Sequence, residues 1–455
     1  MSGTGPATAA AGRPSGGRPV RTTRLFVARS LREAALHIAA LRDGHLADDG
    51  VRVLVVGGTA GVPGTSPGPS AWPGAVRDRF DRVLSLDAAI RPLHPASWQP
   101  REDDAPLWER QLRSLWELGD GPVELVTHSP LHPMARIFAD APVVVLAGPE
   151  AYAPAAARPD TATGTRVRLL LHPDLLPGVP PLLLDEFAVP CAAVAAEQVR
   201  AALADCGADA GAAGAVVVPQ PDGGGPEAAL AQLRRVREAA PTGPSAGSGG
   251  AAGPTALFVP ASPAEALRLR PALEREAAAL GVTLRTTDGL LPAEALFGAR
   301  PTAVLGEDST ALLVAHTLYG LPVVRTGPGR RGSRTGRAAD PAAAVVAAAL
   351  DALLPRGRPS GPPRAEPPPG TGTAAALLRV VGHCNRPALG PQQRAEVLRT
   401  LPELPPDLVR RHVSRARLAA LGLPGGLPAP MTGAARNRTL RRAARRARAL
   451  RAALR

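Results

Sequence analysis

The sequence of 455 residues contains no lysine, only three cysteines and few aromatic side chains. Cys191, Cys206 and Cys384 are far apart and odd in number, which argues against a disulfide framework and against a structural zinc site. Such cysteine usage favours a reducing compartment, namely the cytoplasm. The chain also lacks an apolar run of roughly 18 residues, and residues 1–20 lack the apolar segment of a signal peptide. We therefore expect a disordered N-terminal lead and no transmembrane helix.

The net charge of +14 is concentrated at one end of the chain. Residues 436–455, RNRTLRRAARRARALRAALR, hold nine arginines and no acid, so removing them leaves +5 on the rest (14 − 9). Such a tail suits acidic lipid headgroups, a polyanionic glycan or nucleic acid, with a solvated C-terminal helix as the alternative. Because aromatic residues make up 3% of the sequence and none lies in the tail, nucleic-acid binding by base stacking is disfavoured.

Strand-like apolar runs alternate with helix-length segments through most of the chain. LFVA (25–28), VRVLVV (51–56), VELVT (123–127) and PVVVLAG (142–148) show this spacing, and it resumes at AVVVP (215–219). The pattern is typical of parallel βαβ units. We therefore predict an α/β protein with a disordered lead (1–20), a Rossmann-like domain (21–200), a second such domain (211–355) with a flexible loop (241–254), a Pro-rich linker (356–373), and C-terminal helices with the arginine-rich tail (374–455).

The stretch LGEDSTALLVAHTLYGLPVVRTG (305–327) combines a strand end, a turn, a helix and a second strand. Asp308 or Ser309 is suited to cap the helix, and the preceding strand ends at Gly306. Ser309 and Thr310 therefore lie at the helix start, where free backbone N–H groups and the helix dipole favour an anion. The stretch predicts a phosphate site, with an ordinary helix cap as the alternative.

Several segments together resemble the bacterial α-2,8-polysialyltransferase family. They are LFVARSLREAAL (25–36), RFDRVLSLDAAIRPLHPASWQPREDDAPLWERQLRSLWELGDGPVELV (79–126), ARIFADAPVVVLAG (135–148), GTRVRLLLHPDLLPGVPPLLLDEF (164–187) and STALLVAHTLYGLPVVRTG (309–327). The resemblance implies a GT-B glycosyltransferase, in which two Rossmann-like domains face a cleft and C-terminal helices follow. It implies that the first domain binds an anionic glycan acceptor and the second a CMP-activated sialic-type sugar. Gly306, Ser309 and Thr310 would hold the donor phosphate, and no cofactor or metal is expected.

Enzymes of this kind carry an acidic turn, a Lys-Pro-His-Pro turn and a Ser-Ser/Thr pair. A carboxylate removes the acceptor proton, while a histidine and the hydroxyl pair stabilise the departing cytidine phosphate. Here the acidic turn reads VVVLAGPEAYAP (143–154), one residue short and without its Asp, so the resemblance leaves Glu150 as the candidate substitute base, with a solvent-exposed loop glutamate as the alternative. The second turn reads FVPASP (258–263), where Ala261 or Ser262 takes the position of the histidine, and only Ser262 can act as a weak substitute hydrogen-bond donor.

Two carboxylates immediately before the hydroxyl pair are a further departure. Glu307 and Asp308 are expected to repel an anionic donor if they face it. Two alternatives to a transferase therefore stay open. One is a catalytically impaired paralogue that serves as a glycan- or partner-binding subunit, and the other is a polyanion-binding scaffold driven by the arginine-rich tail. In each case we expect a cytoplasmic protein whose tail makes at most a peripheral contact with the inner face of the membrane.

Two other features do not predict a site. His128 and His132 are four residues apart, but Pro130 interrupts the helix that would align them, so metal binding is not predicted. The glycine-rich VVGGTAGVPG (55–64) is not a dinucleotide-binding fingerprint, and Pro63 opposes an immediate helix, so a loop is expected.

Overall fold

The structure, a computed structural model, describes residues 21–46, 50–57, 68–93, 97–155, 157, 159–207, 212–220, 226–239, 253–326, 341–354, 356, 360, 370–388 and 393–427. The lead (1–20), most of the loop (241–254), most of the linker (356–373) and the arginine-rich tail lie outside these residues. What we predict for them stays a prediction. Among the described residues, no helix is both long and apolar enough to cross a bilayer.

Seven parallel strands among the described residues form the first sheet, in the order β3-β2-β1-β4-β5-β6-β7. They are β1 (Thr23–Ala28), β2 (Val51–Val56), β3 (Arg82–Ser85), β4 (Val123–Thr127), β5 (Val143–Leu146), β6 (Val167–Pro173) and β7 (Cys191–Val194). β1, β4 and β5 are buried along their whole length, as expected for strands with helices on both faces. The strand order reverses between β1 and β4, which creates a topological switch point at their carboxyl ends.

Five parallel strands, counted over the same described ranges, form the second sheet in the order β10-β9-β8-β11-β12. They are β8 (Val216–Pro219), β9 (Thr255–Val259), β10 (Thr283–Thr286), β11 (Ala303–Gly306) and β12 (Val323–Arg325). The switch point of this sheet lies between β8 and β11. The predicted fold class, α/β with two Rossmann-like sheets as in GT-B, is confirmed by these two sheets.

Helices connect the strands and follow the second sheet. Those before β12 are α1 (Leu31–Arg42), α2 (Gly74–Arg77), α3 (Leu86–Ala89), α4 (Ala105–Leu115), α5 (Pro133–Ile137), α6 (Thr161–Arg166), α7 (Ala196–Ala204), α8 (Pro226–Arg234), α9 (Val236–Ala239), α10 (Pro263–Leu280) and α11 (Thr310–Thr317). Those after β12 are α12 (Pro341–Leu353), α13 (Thr371–Asn385), α14 (Gln393–Thr400), α15 (Pro406–His412) and α16 (Arg415–Ala420). Short 3-10 helices lie at Pro69–Ala71, Pro149–Tyr152, Asp185–Phe187, Ala293–Ala299 and Leu401–Glu403.

Helices α7, α12 and α13 join the two halves of the molecule. α12 packs on α13 and on the 3-10 helix Pro149–Tyr152 of the first half. α13 approaches the same region closely, since a Cβ on Gly382 would meet Pro154 Cδ at 3.0 Å. α7 packs on α1 and on the 3-10 helix Ala293–Ala299, which precedes β11. One apolar core therefore runs from the first sheet to the C-terminal helices.

Candidate functional site

The turn after β11 lies at the switch point of the second sheet. β11 pairs with β8 through Ala303 and Val304, and with β12 on its other side. Gly306 ends the strand, and a Cβ there would lie 3.4 Å from Pro219 O, which is an ordinary contact distance, so the ends of β8 and β11 are neighbours. Helix α11 begins at Thr310, which places its start at the carboxyl edge of the sheet.

Ser309 is the N-cap of α11, but its hydroxyl does not cap the helix. The residue has extended backbone (φ −134°, ψ 155°), and its side chain accepts no hydrogen bond from the first turn. The buried Oγ atom has no hydrogen-bond partner among the described residues. The structure thus selects Ser309 rather than Asp308 as the N-cap. It also leaves the hydroxyl available to a ligand.

Three further side chains share this property, and each comes directly after a strand of the second sheet. Gln220 follows β8, Thr287 follows β10 and Thr326 follows β12. In each, one side-chain oxygen is buried and lacks a partner within the described part of the chain. Parallel strands end at one edge of a sheet, so these oxygens lie along the same edge as Ser309. Buried polar atoms are nearly always hydrogen-bonded in proteins, so this edge is suited to a polar ligand.

The carboxylate of Asp308 is not an unpaired charge at this edge. Its Oδ1 accepts hydrogen bonds from Arg325 Nε (3.1 Å) and Nη2 (2.5 Å), and its Oδ2 accepts one from Arg356 Nη2 (2.9 Å). The side chains of Asp308 and Arg325 are only 4% and 1% exposed. This corrects the expectation that Asp308 repels an anionic donor, because two guanidinium groups neutralise its charge.

The same ion cluster extends to the C-terminal helices. Arg325 Nη2 and Arg356 Nη2 also donate to Asp351 Oδ1, at 2.8 and 2.9 Å, and His412 Nε2 lies 3.0 Å from Asp351 Oδ2. Burial alone would raise the pKa of Asp351, but the hydrogen bond with His412 and the charge of Arg325 hold that pKa well below its usual range. The cluster therefore ties β12 to α12 and α15.

Glu307, the other acid before the hydroxyl pair, has a different environment. Its side chain is half-buried, and it forms no hydrogen bond or ion pair with any described residue. No described arginine balances its charge. The predicted repulsion of an anionic donor therefore now rests on Glu307 alone.

Glu150 lies in the 3-10 helix Pro149–Tyr152, which follows β5 at the carboxyl edge of the first sheet. Its side chain folds back on the turn, since a Cβ on Gly148 would lie 3.1 Å from Glu150 Oε2. The structure thus places the predicted base on the first sheet and the predicted phosphate-binding pair, Ser309 and Thr310, on the second. Helix α12, which follows the second sheet, packs on the turn that carries Glu150.

Ser262 is the N-cap of α10, and its hydroxyl is used in that role. Ser262 Oγ accepts a hydrogen bond from Glu265 N (3.2 Å), while Glu265 Oε2 accepts one from Ala261 N (2.9 Å). This reciprocal arrangement resembles a capping box. A Cβ on Gly289 would lie 2.4 Å from the carbonyl carbon of Ser262, so the loop after β10 packs directly on this turn. A role for Ser262 as a donor to substrate stays a prediction.

Sequence reasoning missed Gln220, Thr287 and Thr326. A signal was present for Gln220 and Thr326, because each is a polar residue that directly follows a largely apolar stretch of a predicted parallel sheet. Thr287 follows β10, which reads TLRT and is only partly buried, so its signal was weaker. The sequence contains no comparable signal that the charge of Asp308 is neutralised. Its partners Arg325 and Arg356 are 17 and 48 positions away in the sequence, so only the fold brings them together.

Solved structures of similar architecture share little sequence with this chain. An α/β-galactoside α-2,3-sialyltransferase from Photobacterium phosphoreum is 9% identical, with 72% of this chain and 94% of that chain covered and a TM-score of 0.37. A UDP-GlcNAc 2-epimerase from Neisseria meningitidis is 11% identical, with 86% and 94% covered and a TM-score of 0.39. An E. coli heptosyltransferase is 13% identical, with 69% and 91% covered and a TM-score of 0.31. Likenesses of this extent carry no argument about substrate or mechanism. No protein-family model matches the chain, and no curated protein matches its sequence.

Proposed function

We propose that this protein is a glycosyltransferase of the polysialyltransferase type, which transfers a CMP-activated sialic-type sugar to an anionic surface glycan. The observation that carries the proposal is the edge of the second sheet, where Ser309, Gln220, Thr287 and Thr326 hold buried oxygens without partners among the described residues. Such an edge, at a switch point and beside a helix start, suits the polar groups of a nucleotide. The CMP-sugar is a substrate, and the proposal requires no cofactor or metal.

The donor phosphate would bind at the start of α11. Backbone N–H groups of the first turn and the hydroxyls of Ser309 and Thr310 would donate hydrogen bonds to it, beside the strand end at Gly306. The helix terminus itself favours an anion by roughly 0.3–1 kcal/mol. This attraction survives because Asp308 is held by two arginines. The remaining adverse charge is that of Glu307.

The resemblance assigns Glu150 as the substitute base and Ser262 as a weak substitute donor to the leaving phosphate. Both assignments come from the resemblance, and the binding of CMP at the start of α11 does not depend on them. The acceptor would be an anionic glycan made in the cytoplasm. The arginine-rich tail (436–455) would add a peripheral contact with the anionic inner face of the membrane.

A thermal-shift titration with CMP, CDP and UDP tests the proposal, because a ligand that binds only the native state raises the melting temperature. We expect CMP to raise the melting temperature of the wild type. The double variant Ser309→Ala, Thr310→Ala should bind CMP about tenfold more weakly or worse, since two hydroxyl hydrogen bonds are lost. Thr165→Ala is the matched control, because that hydroxyl bonds only to the backbone of its own helix at Thr161 and Ala162.

Two results would show that the assignment is wrong. One is a melting temperature that none of the three nucleotides changes. The other is a double variant that binds CMP as tightly as the wild type and the Thr165→Ala control. The second result would place any nucleotide site away from α11.

A further inference from the structure

A cluster of titratable side chains lies at the switch point of the first sheet. Glu33 is in the first turn of α1, which follows β1, and His128 comes directly after β4. β1 and β4 are parallel neighbours, so both residues are brought to one carboxyl edge. His132 lies beside His128, with 5.4 Å between the ring centroids. In open α/β sheets, ligands bind in the crevice at such a switch point.

Glu33 is held in place by Arg29. Glu33 Oε2 accepts a hydrogen bond from Arg29 N (2.7 Å), and Oε1 accepts hydrogen bonds from Arg29 Nη2 (2.6 Å) and Nε (3.0 Å). Burial acts to raise the pKa of Glu33, but the charge of His128, which is protonated in the acid range where Glu33 titrates, and the charge of Arg29 lower it to about 2. The carboxylate is therefore ionised at neutral pH.

His128 lies beside this carboxylate with one ring nitrogen unused. His128 Nδ1 is 3.9 Å from Glu33 Oε2, which is too long for a hydrogen bond and short enough for a strong charge interaction. Nδ1 is buried and has no hydrogen-bond partner among the described residues. Burial lowers the pKa of His128 to about 4 despite the attraction of Glu33, so the ring is neutral at pH 7.

His132 is neutral as well, and its orientation is fixed. Its Nδ1 accepts a hydrogen bond from Met134 N (3.2 Å) at the start of α5, so its proton is on Nε2. Burial lowers the pKa of His132 to about 3. No group of three or more His, Cys, Asp or Glu side chains in the described ranges is arranged to hold a metal ion. This edge presents an ionised carboxylate beside two neutral imidazoles.

The first turn of α1 is also tied to the second half of the molecule. Arg32 Nη2 lies 2.9 Å from Glu294 Oε1, and the Glu294 side chain is buried. Glu294 belongs to the 3-10 helix Ala293–Ala299, which packs on α11. One ion pair therefore connects the turn that carries Glu33 to the element that supports the proposed phosphate site at the start of α11.

We propose that His128, in place of Glu150, is the general base of the transfer reaction and that Glu33 is its positioning partner. This inference rests on the proposed function. An acceptor hydroxyl gives its proton to His128 Nε2 while its oxygen bonds to the anomeric carbon of the donor sugar. The bond between that carbon and the CMP phosphate oxygen breaks, and this oxygen keeps the electron pair. The imidazolium that forms carries a proton on Nδ1, next to the negative charge of Glu33, which stabilises it.

This pair would supply the base that the shortened turn at Glu150 lacks. A neutral imidazole is in the protonation state that a base requires, and an adjacent carboxylate raises its affinity for the incoming proton. The distance of 3.9 Å between His128 Nδ1 and Glu33 Oε2 is expected to shorten when substrate is bound, since catalytic contacts often tighten only in the complex.

The test uses the full-length chain, CMP-sialic acid as donor and an α-2,8-linked sialic acid trimer as acceptor. Acceptor-dependent CMP release is measured for the wild type, His128→Ala, Glu33→Gln and the control His45→Ala. His45 follows the opposite end of α1, where Nε2 contacts Ala193 O at 3.1 Å. We expect His128→Ala to lose on the order of 10²–10⁴-fold in rate with unchanged CMP affinity, Glu33→Gln to lose less, and the control to keep its rate. Added imidazole should partly restore His128→Ala, which a structural defect would not allow.

A second readout does not depend on turnover. The histidine ring resonances are followed by NMR as the pH is lowered, and the signal missing from His128→Ala identifies His128. The groups that face His128 are Glu33, Arg29, His37 and His132, and Glu33 is the one that raises its pKa. In Glu33→Gln, His128 should therefore titrate at a lower pH than in the wild type. An unchanged titration would contradict the role given to Glu33.

The remaining outcomes separate the inference from the proposed function. Wild-type protein that binds CMP and keeps its transfer rate in His128→Ala contradicts the inference and leaves the proposed function standing. The inference is also contradicted if Glu150→Gln loses transfer while His128→Ala keeps it. Wild-type protein that binds CMP but releases none in response to the acceptor contradicts both the proposed transfer and the inference. A wild type that binds no CMP contradicts the proposed function, and the inference falls with it.

Discussion

At the carboxyl edge of the second sheet, the unpartnered oxygens of Ser309 and Thr326 are uncharged, whereas the edge of the first sheet carries ionised Glu33 beside His128. Of the two acids that follow the strand end at Gly306, Asp308 is held in an ion cluster and its side chain is 4% exposed, while the side chains of Glu33 and His128 at the first edge are 17% and 16% exposed. The charge of Asp308 beside the second edge is thus buried in a cluster that ties elements together, whereas Glu33 and His128 at the first edge are more exposed. The second edge is suited to hold an anion and the first to accept a proton, and a group transfer requires both.

Breaking the ion cluster of the second half should have the largest effect on stability. Arg325→Met leaves Asp308 and Asp351 buried without their main partner, and it removes the bonds from Arg325 Nη1 to Leu350 O (2.8 Å) and Leu354 O (2.9 Å). We expect a loss of about 3–5 kcal/mol, measured from the guanidinium chloride unfolding midpoint.

Arg410→Met is the matched control for this change, because Arg410 pairs with Asp407 at the surface and is 55% exposed. Exposed pairs of this kind contribute little to stability. Equal unfolding midpoints for the Arg325 and Arg410 variants would show that the cluster does not hold the second half together.

As the pH falls, the first half should lose stability at a higher pH than the ion cluster of the second half does. His128 and His132 titrate at about 4 and 3 in the folded protein, below their ordinary value of 6.5. Between about pH 6.5 and 4 the unfolded chain binds protons that the folded chain does not, so stability falls as the pH falls. The depressed pKa of Asp351 contributes stability that is complete above about pH 4 and is lost only as the pH falls further.

Urea unfolding midpoints between pH 6.5 and 4 measure this difference. The double variant His128→Gln, His132→Gln should flatten the fall in stability across that window. Asp351→Asn should lower stability throughout it without changing the slope. A double variant with the wild-type slope would mean that these imidazoles are not buried in their neutral form.

Neutralising the two acids before Ser309 should have unequal effects on nucleotide binding. Glu307→Gln should strengthen CMP binding by about two- to fivefold, because a single adverse charge near a helix terminus corresponds to roughly 0.3–1 kcal/mol. Asp308→Asn should not strengthen it, since that charge is already balanced by Arg325 and Arg356. Isothermal titration calorimetry measures the CMP affinity of both variants. A gain in affinity for Asp308→Asn but not for Glu307→Gln would contradict this prediction.

Removing the arginine-rich tail should change stability least. Residues 434–455 carry strong helix formers and few large apolar side chains to bury, so their deletion should leave the melting temperature nearly unchanged. The same deletion should reduce retention on heparin and on anionic vesicles. A large drop in melting temperature would mean that the tail is packed on one of the two halves.

The sequence was sufficient to predict the two parallel sheets and the strand, turn and helix at the start of α11. Valine-rich runs such as 51–56 and 142–148 have the composition of buried parallel strands, and β2 and β5 occupy most of them. The start of α11 was predicted because Gly306, Ser309 and Thr310 form a local pattern of strand end, cap and helix, which depends on neighbours in the sequence only.

The chemistry of the two edges was harder to predict, since it depends on residues far apart in the chain. Asp308 could not be separated from Glu307 by sequence, because its neutralisation requires Arg325 from the next strand and Arg356 from beyond α12. The sequence pairs His128 only with His132, four positions away. Its contact with Glu33 arises because β1 and β4 are neighbours in the sheet, although β2 and β3 separate them in the chain.

A crystal structure of the full-length protein with CMP tests the central claim most directly, namely that the edge of the second sheet binds the donor nucleotide. We predict the phosphate at the start of α11, with its oxygens within hydrogen-bond distance of Ser309 Oγ and of backbone N–H groups in the first turn. We also predict nucleotide polar groups that pair with the oxygens of Thr326 and Gln220. CMP bound at the edge of the first sheet beside His128, or an edge at Ser309 that stays empty at saturating CMP, would contradict it.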